Sequence, residues 1–268
     1  MAAYFPQLLT GTSSQFPLRR ALRFRTVSEG GRGVPMMRVA DGSVRRVEWA
    51  MQLQGLCDAE AEALTTLFRD SRGTQRAFVF CDPEDNLLLH SEGLSQAEWQ
   101  KSGGVSVSAA PTAAPGMGAA WRVSTASGSG EMWQQVMLPT QYQWVFSVYA
   151  RAEAGGELLL VQRSAHGERT HAVKPGSEWQ RYWLMASGWP PGEGMDFGIR
   201  VQAGGPVDVS RFQLEGQLSP SGYKKTTSTC GVYADARFAD ERLRVTTIAK
   251  NCHQVALRVI APLPRYDR

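Results

Sequence analysis

The sequence predicts an all-β protein with one helix, built as a discontinuous domain interrupted by a second β-sandwich of jelly-roll type. Three observations predict it. Period-two alternation recurs along the chain, whereas helical periodicity is confined to one segment near residue 60. Seven of the eight tryptophans fall between residues 91 and 217, where short apolar runs are separated by Gly, Ser and Ala. The strands flanking that stretch are too few to stand alone, so the two flanks are expected to complete each other.

Residues 1–90 form the first half of the outer domain. Leu22-Arg23-Phe24-Arg25-Thr26-Val27 alternates as a half-buried strand does. Gly30-Gly31-Arg32-Gly33 reads as a loop, and residues 44–53 alternate again. Asp58 is a good N-cap, with acidic residues following it in the first turn. Leu64, Leu67 and Phe68 then make an apolar stripe, and Arg72-Gly73 ends the helix. Residues 75–81 are a strand, and residues 82–86 a turn.

The inserted domain is expected over 91–217. Eight strand candidates recur there: 104–108, 120–124, 131–138, 144–150, 157–162, 180–184, 196–201 and 207–214. Residues 218–268 return to the outer domain. Val232, Ala234, Ala236 and Phe238 share one face of an alternating run, and residues 243–248 and 255–260 supply two more strands before Pro262 and Pro264.

Composition bounds the function. The chain carries 29 basic and 25 acidic residues, without the density or aromatic interleaving of a nucleic-acid site. No apolar run is long enough for a membrane span. The opening Met1-Ala2-Ala3-Tyr4 lacks the order of a secretory leader, so folding in a cytoplasm is expected. Cys57, Cys81, Cys230 and Cys252 are widely spaced and read as buried thiols. Every basic residue before Lys101 is arginine; this suits interfaces that pair carboxylates, and a genome rich in GC codons gives the same bias.

Chemistry is sparse. There is no G-x-S-x-G elbow, and His90, His166, His171 and His253 are scattered, so no enzymatic role is expected. Glu131, Glu157, Glu178 and Asp208 read as solvated strand-edge carboxylates. Gly128-Ser129-Gly130 lacks the rest of a phosphate loop and reads as a hairpin turn. Trp121, Trp144, Trp179 and Trp183 sit in strand patterns and are expected in the core. The carbohydrate-binding candidates are Trp133, with Gln134 and Gln135 beside it to bond hydroxyls, and Trp189, in the loop Gly188-Trp189-Pro190-Pro191-Gly192.

The run Phe212-Gln213-Leu214-Glu215-Gly216, followed by Pro220, Tyr223 and Thr226, resembles the closing motif of carbohydrate-binding-like modules of phage tail proteins. Residues 131–136, 144–152 and 177–182 match earlier pieces of that pattern in order. The flanks, chiefly residues 232–245 and the helix-then-strand at 58–81, are similar to phage distal tail proteins and baseplate hub components. The resemblance implies a tail-tube-like outer domain (1–90 with 218–268) that forms a ring, commonly a hexamer. That ring joins tail tube to hub beside tape-measure-type proteins, at a virion tail tip assembled in the host cytoplasm. The inserted module then faces outward toward host surface glycans. Sandwich modules of the kind it resembles often hold calcium, for which Glu92, Asp208 and Glu215 are the candidates, but no cofactor is expected, and a structural hydrogen-bonding role is the expectation for Glu215. The alternative is a stand-alone carbohydrate-binding protein without a ring.

Overall fold

A computed structural model describes residues 2–30, 36–102, 104–111, 116, 118–153 and 155–263, with residues 42–44 described by backbone alone. The expected loop at 30–33 and Pro264 fall largely or wholly outside them. The chain runs through β1 (Arg19–Glu29), β2 (Met37–Leu56), α1 (Asp58–Asp70), β3 (Phe78–Cys81), β4 (Gln100–Lys101) and β5 (Val105–Ala109). It continues through β6 (Trp121–Thr125), β7 (Ser129–Pro139), β8 (Trp144–Arg151), β9 (Leu158–Ser164), β10 (Gly167–Val173) and β11 (Gln180–Ala186). The last strands are β12 (Glu193–Gln202), β13 (Val207–Glu215), β14 (Val232–Phe238), β15 (Arg244–Ala249) and β16 (Cys252–Pro262). Among the described residues no helix is long and apolar enough to cross a membrane.

The chain divides into two compact units. The first comprises Met1–Leu9, Ser13–Phe80 and Tyr233–Arg268; the second comprises Thr10–Thr12 and Cys81–Val232. The second unit therefore extends beyond the expected 91–217 on both sides. Its added ends are tied into its own core by Asn86, which is fully buried. The Asn86 amide donates to the Phe212 and Lys224 carbonyls at 2.8 and 3.1 Å and accepts from the Leu214 and Leu88 amides at 3.0 and 3.1 Å.

In the first unit one sheet has the order β1-β2-β16-β14-β3, with β15 pairing β16. Val47, Trp49, Met51 and Leu53 alternate inward from β2, facing Val255, Leu257 and Val259 of β16. Gly55, at φ +66°, bulges between the pairs Gln54–Gln254 and Leu56–His253. The extra residue turns Leu56 onto the core face. Helix α1 packs Leu64 and Leu67 against this core. Cys57, not Asp58, occupies its N-cap, and the Glu60 carboxylate accepts from the Cys57 amide at 2.8 Å. On β14 the expected alternation breaks: Tyr233, Ala236 and Phe238 are buried and Ala234 is exposed.

The largest departure is β1. Leu22 and Phe24 are 58% and 61% exposed, and every residue of the strand is exposed. β1 pairs only with β2, from Arg19–Ala50 to Glu29–Met37. Beyond Asp41 the two strands form a ribbon exposed on both faces, so alternation here does not report a core.

The second unit is two five-stranded antiparallel sheets, ordered β10-β9-β12-β7-β4 and β11-β8-β13-β6-β5. Their inner faces share one core centred on Trp144, Phe146, Phe197 and Phe212. Apart from the β5–β6 and β9–β10 hairpins, successive strands alternate between sheets, the jelly-roll arrangement. Hence β6 and β7 lie in opposite sheets, and Gly128, at φ +63°, belongs to a crossover and not to a hairpin. β10 carries no sequence signal because all but its last residue are exposed and polar residues fill both faces.

Candidate functional site

The outward face of β10-β9-β12-β7-β4 is the most developed polar surface of the second unit. On β12, Met195, Phe197, Ile199 and Val201 point into the core, so Asp196, Gly198 and Arg200 face outward. The ladder register extends this face across the sheet. Trp133 stands opposite Gly198, Glu131 opposite Arg200 and Gln135 opposite Asp196. On the other side Arg163 stands opposite Asp196, and Glu168 opposite Arg163. Gln100 of β4 faces Trp133 from the near edge.

Two guanidiniums and three carboxylates pair with one another in place. The Arg163 guanidinium reaches Glu131 at 3.0 Å, Asp196 at 3.1 Å and Glu168 at 3.5 Å. Arg200 bonds Glu168 at 2.8 Å and also Glu131. Partial burial opposes ionisation of Glu131, but hydrogen bonds from Arg163 and Arg200 outweigh it and hold the carboxyl below its ordinary value. The Arg163 guanidinium carbon also lies 5.4 Å from the Trp133 ring centroid, within cation–π range. A half-buried indole is thus surrounded by planar amides and guanidiniums, with Gln100 and Gln135 exposed on either side.

Gln134 has the opposite parity. It is 3% exposed, and its amide is taken up by the Leu89 backbone, accepting from the amide at 3.0 Å and donating to the carbonyl at 2.5 Å. Trp189 is 8% exposed and not an open loop residue. The Arg169 guanidinium lies 4.9 Å from its ring, and a Cβ at Gly167 would meet a Trp189 ring carbon at 3.3 Å. Of the three carbohydrate candidates, only Trp133 lies on the open face. Trp144 is in the core, but Trp183 is 44% exposed on β11, while Trp179 is half-buried before that strand and stacks with Arg151.

The residues missed in sequence are Gln100, Arg163, Asp196, Gly198 and Arg200. Parity was the available signal: once Met132 and Leu138 of β7 are assigned inward, Glu131, Trp133 and Gln135 must share the outer face. Glu131 is accordingly no strand-edge carboxylate.

The calcium candidates are not brought together. Glu92 pairs with Lys225 at 2.7 Å. Asp208 is 2% exposed and bonds Arg122 at 2.7 Å and Arg151 at 3.1 Å. Glu215 is fully buried and accepts from the Ser221 amide at 3.1 Å and from its hydroxyl. Among the described residues no cluster of three His, Cys, Asp or Glu side chains could hold a metal ion.

Over β8 and β13 the outward face of the opposite sheet is covered by the chain itself, whereas Trp183 and Met185 of β11 stay exposed. Gln213 receives the Lys224 amide at 2.7 Å and donates to the Gly222 carbonyl at 3.3 Å. The Tyr223 hydroxyl meets the Ser91 hydroxyl at 2.8 Å, and Thr226 donates to the Leu88 carbonyl at 2.6 Å. Arg181 and Arg211 each place a guanidinium 5.7 Å from the Tyr149 ring, and Arg211 lies 5.3 Å from the Tyr223 ring. The Gln213–Thr226 motif is thus a strap that covers β8 and β13.

The histidines are dispersed. His171 shares a 2.9 Å hydrogen bond with the Trp183 carbonyl, His90 lies 3.8 Å from Glu98, and His253 lies between Asp58 at 2.7 Å and Thr247 at 3.1 Å at the start of α1.

No protein-family model and no curated protein matches the chain. Solved structures with a similar fold are mainly carbohydrate-binding modules. TmCBM61 in complex with β-1,4-galactotriose is 22% identical with a TM-score of 0.39, covering 48% of this chain and 97% of the module. The CBM22-1 xylan-binding domain of Paenibacillus barcinonensis Xyn10C is 16% identical with a TM-score of 0.39, covering 50% and 97%. Tailspike protein 4 of bacteriophage CBA120, in its enzymatically active domain, is 11% identical with a TM-score of 0.39, covering 51% of this chain and 22% of that one. At these scores the jelly-roll assignment rests on the sheet order described above.

Proposed function

We propose that the second unit binds a neutral glycan on the outward face of β10-β9-β12-β7-β4, and that the chain acts as a binding protein and not as a catalyst. The observation that carries this is the asymmetry of the sandwich: on one outer face residues 217–226 strap over β8 and β13, and the other is left open with Trp133 among hydrogen-bonding side chains. An indole offers a flat apolar platform for the C–H face of a sugar. Gln100 and Gln135 supply donors and acceptors for hydroxyls. Because the carboxylates and guanidiniums pair with one another, the face has little charge left for an acidic sugar.

The test is the full-length protein on an array of neutral and acidic glycans, beside Trp133→Ala. Binding of neutral glycans by the native protein, lost in the variant, supports the reading. No binding, or binding that survives in Trp133→Ala, overturns it.

A second reading, a ring-forming tail-tip component that displays this module, is favoured by the β1–β2 ribbon. Met37 and Val39 on it, and Leu22 and Phe24 next to it on β1, are each more than half exposed, and an isolated two-stranded ribbon is marginal in water. Partner chains packed around such an arm would remove that surface. Light scattering of the purified chain tests it: a uniform oligomer lost in Phe24→Glu supports assembly through the arm. A monomer at all concentrations, alone and with tail-tube and hub proteins, removes this reading and leaves the stand-alone binder.

A further inference from the structure

The four free thiols sort into two neighbourhoods, one in each unit. In the first unit, β16 runs antiparallel to β2 with His253 opposite Leu56. One step further along the same register, Cys252 falls opposite Cys57. Two hydrogen bonds fix this step from both sides. The Asp58 amide donates to Asn251 Oδ1 at 2.7 Å, and His253 Nε2 lies 2.7 Å from Asp58 Oδ1. Residues 251 and 253 are therefore both held at Asp58, with Cys252 between them. Directly opposed antiparallel residues share a face, with Cβ atoms about 4.5–5.5 Å apart, and a disulfide needs about 3.5–4.5 Å. Cys252 is the first residue of β16, next to the Lys250–Asn251 turn, so the small approach is made at a strand end. Both cysteines are half-buried.

We propose that Cys57 and Cys252 form a reversible oxidation site, a dithiol that closes to a cross-strand disulfide on reaction with a low-molecular-weight disulfide such as glutathione disulfide. One thiolate attacks the glutathione disulfide and releases one glutathione thiol. The other thiolate attacks the resulting mixed disulfide and releases the second. Two protein S–H bonds are lost and one S–S bond forms; the two electrons reduce glutathione disulfide to two thiols. The bond joins the β2–α1 junction to β16 and encloses Cys81–Val232 of the second unit within its loop, a long closure that restricts the unfolded chain.

The other pair behaves differently. Cys81 lies close enough to Cys230 to feel its charge, where the Asp82 amide donates to the Gly231 carbonyl at 2.8 Å. Burial, followed by the neighbouring Cys230, pushes the Cys81 thiol far above its ordinary value, and burial raises Cys230 as well. With little thiolate, this pair is inert to exchange.

The experiment treats the full-length native protein with excess glutathione disulfide, then reads intact mass, peptide mapping without reduction, and the unfolding midpoint. The expected result is the loss of two hydrogens, one Cys57–Cys252 cross-linked peptide, unreacted Cys81 and Cys230, and a raised midpoint. Cys252→Ala should then hold a single glutathione adduct on Cys57. Recovery of Cys57 and Cys252 as two separate adducts, as unreacted thiols, or cross-linked to Cys81 or Cys230 overturns the proposal. The native peptide map decides even if the variant does not fold.

Discussion

Gly198 stands directly opposite Trp133 across the β7–β12 ladder, and a Cβ at 198 would lie 2.7 Å from both Cα and Cβ of the tryptophan. It would also collide with the Met132 carbonyl. Both obstacles are backbone or close to it, so neither can rotate away. Gly198→Ala should destabilise the second unit by about 1–3 kcal/mol and displace the indole, weakening glycan binding. Trp133→Ala should leave the urea midpoint nearly unchanged while abolishing binding. Equal stability losses in the two variants would refute the separation of scaffold from ligand contact.

Asp208 is a buried charge held by two arginines. Arg151 is itself 9% exposed and also stacks on Trp179. Asp208→Ala leaves the buried Arg151 with only the exposed Glu153 at 3.5 Å, and breaking such a buried pair costs about 3–5 kcal/mol. The Arg122→Ala loss should be much smaller, because that side chain is 30% exposed and Asp208 keeps Arg151. Denaturant unfolding of both variants measures the difference.

Glu131 sets an acid dependence. Its folded-state value lies below the ordinary 4.5, so ionisation is favoured by folding. The stabilisation is present above the unfolded value and disappears as pH falls through the lower folded value. Native stability should therefore decline below about pH 4.5, and Glu131→Gln should flatten that part of the curve. Thermal unfolding of the two proteins across the acid range tests it; superimposable slopes would count against the Arg163–Glu131–Arg200 cluster.

Asn86 pins both chain ends of the second unit through its four hydrogen bonds. Asn86→Ala leaves buried backbone groups without partners, each at a cost of about 1–3 kcal/mol. The expected result is faster hydrogen exchange across residues 217–226 before global unfolding, read by mass spectrometry. Unchanged protection of that strap would show that Asn86 does not hold it.

Much of the fold was legible in the chain. Eight of the ten strands of the sandwich, the α1 stripe of Leu64 and Leu67 and the β2 alternation from Val47 to Leu53 follow local periodicity; β4 and β10 do not, and β11 turns Trp183 outward. Trp133 was identifiable as a ligand candidate because its neighbours are polar. Its true companions were not, since Arg163, Asp196 and Arg200 lie on other strands and reach it only through register.

Sequence by itself determined the class of structure, because alternation and turn residues act over a few positions. Tertiary structure decided which alternating segments were buried. Leu22 and Phe24 have the pattern of a core strand, yet every residue of β1 is exposed. It also decided which tryptophans were open: Trp189 in a Gly-Pro loop is covered by Arg169, whereas Trp183 inside a strand is exposed. Burial depends on what a face meets, and that partner is set by strands distant in the chain.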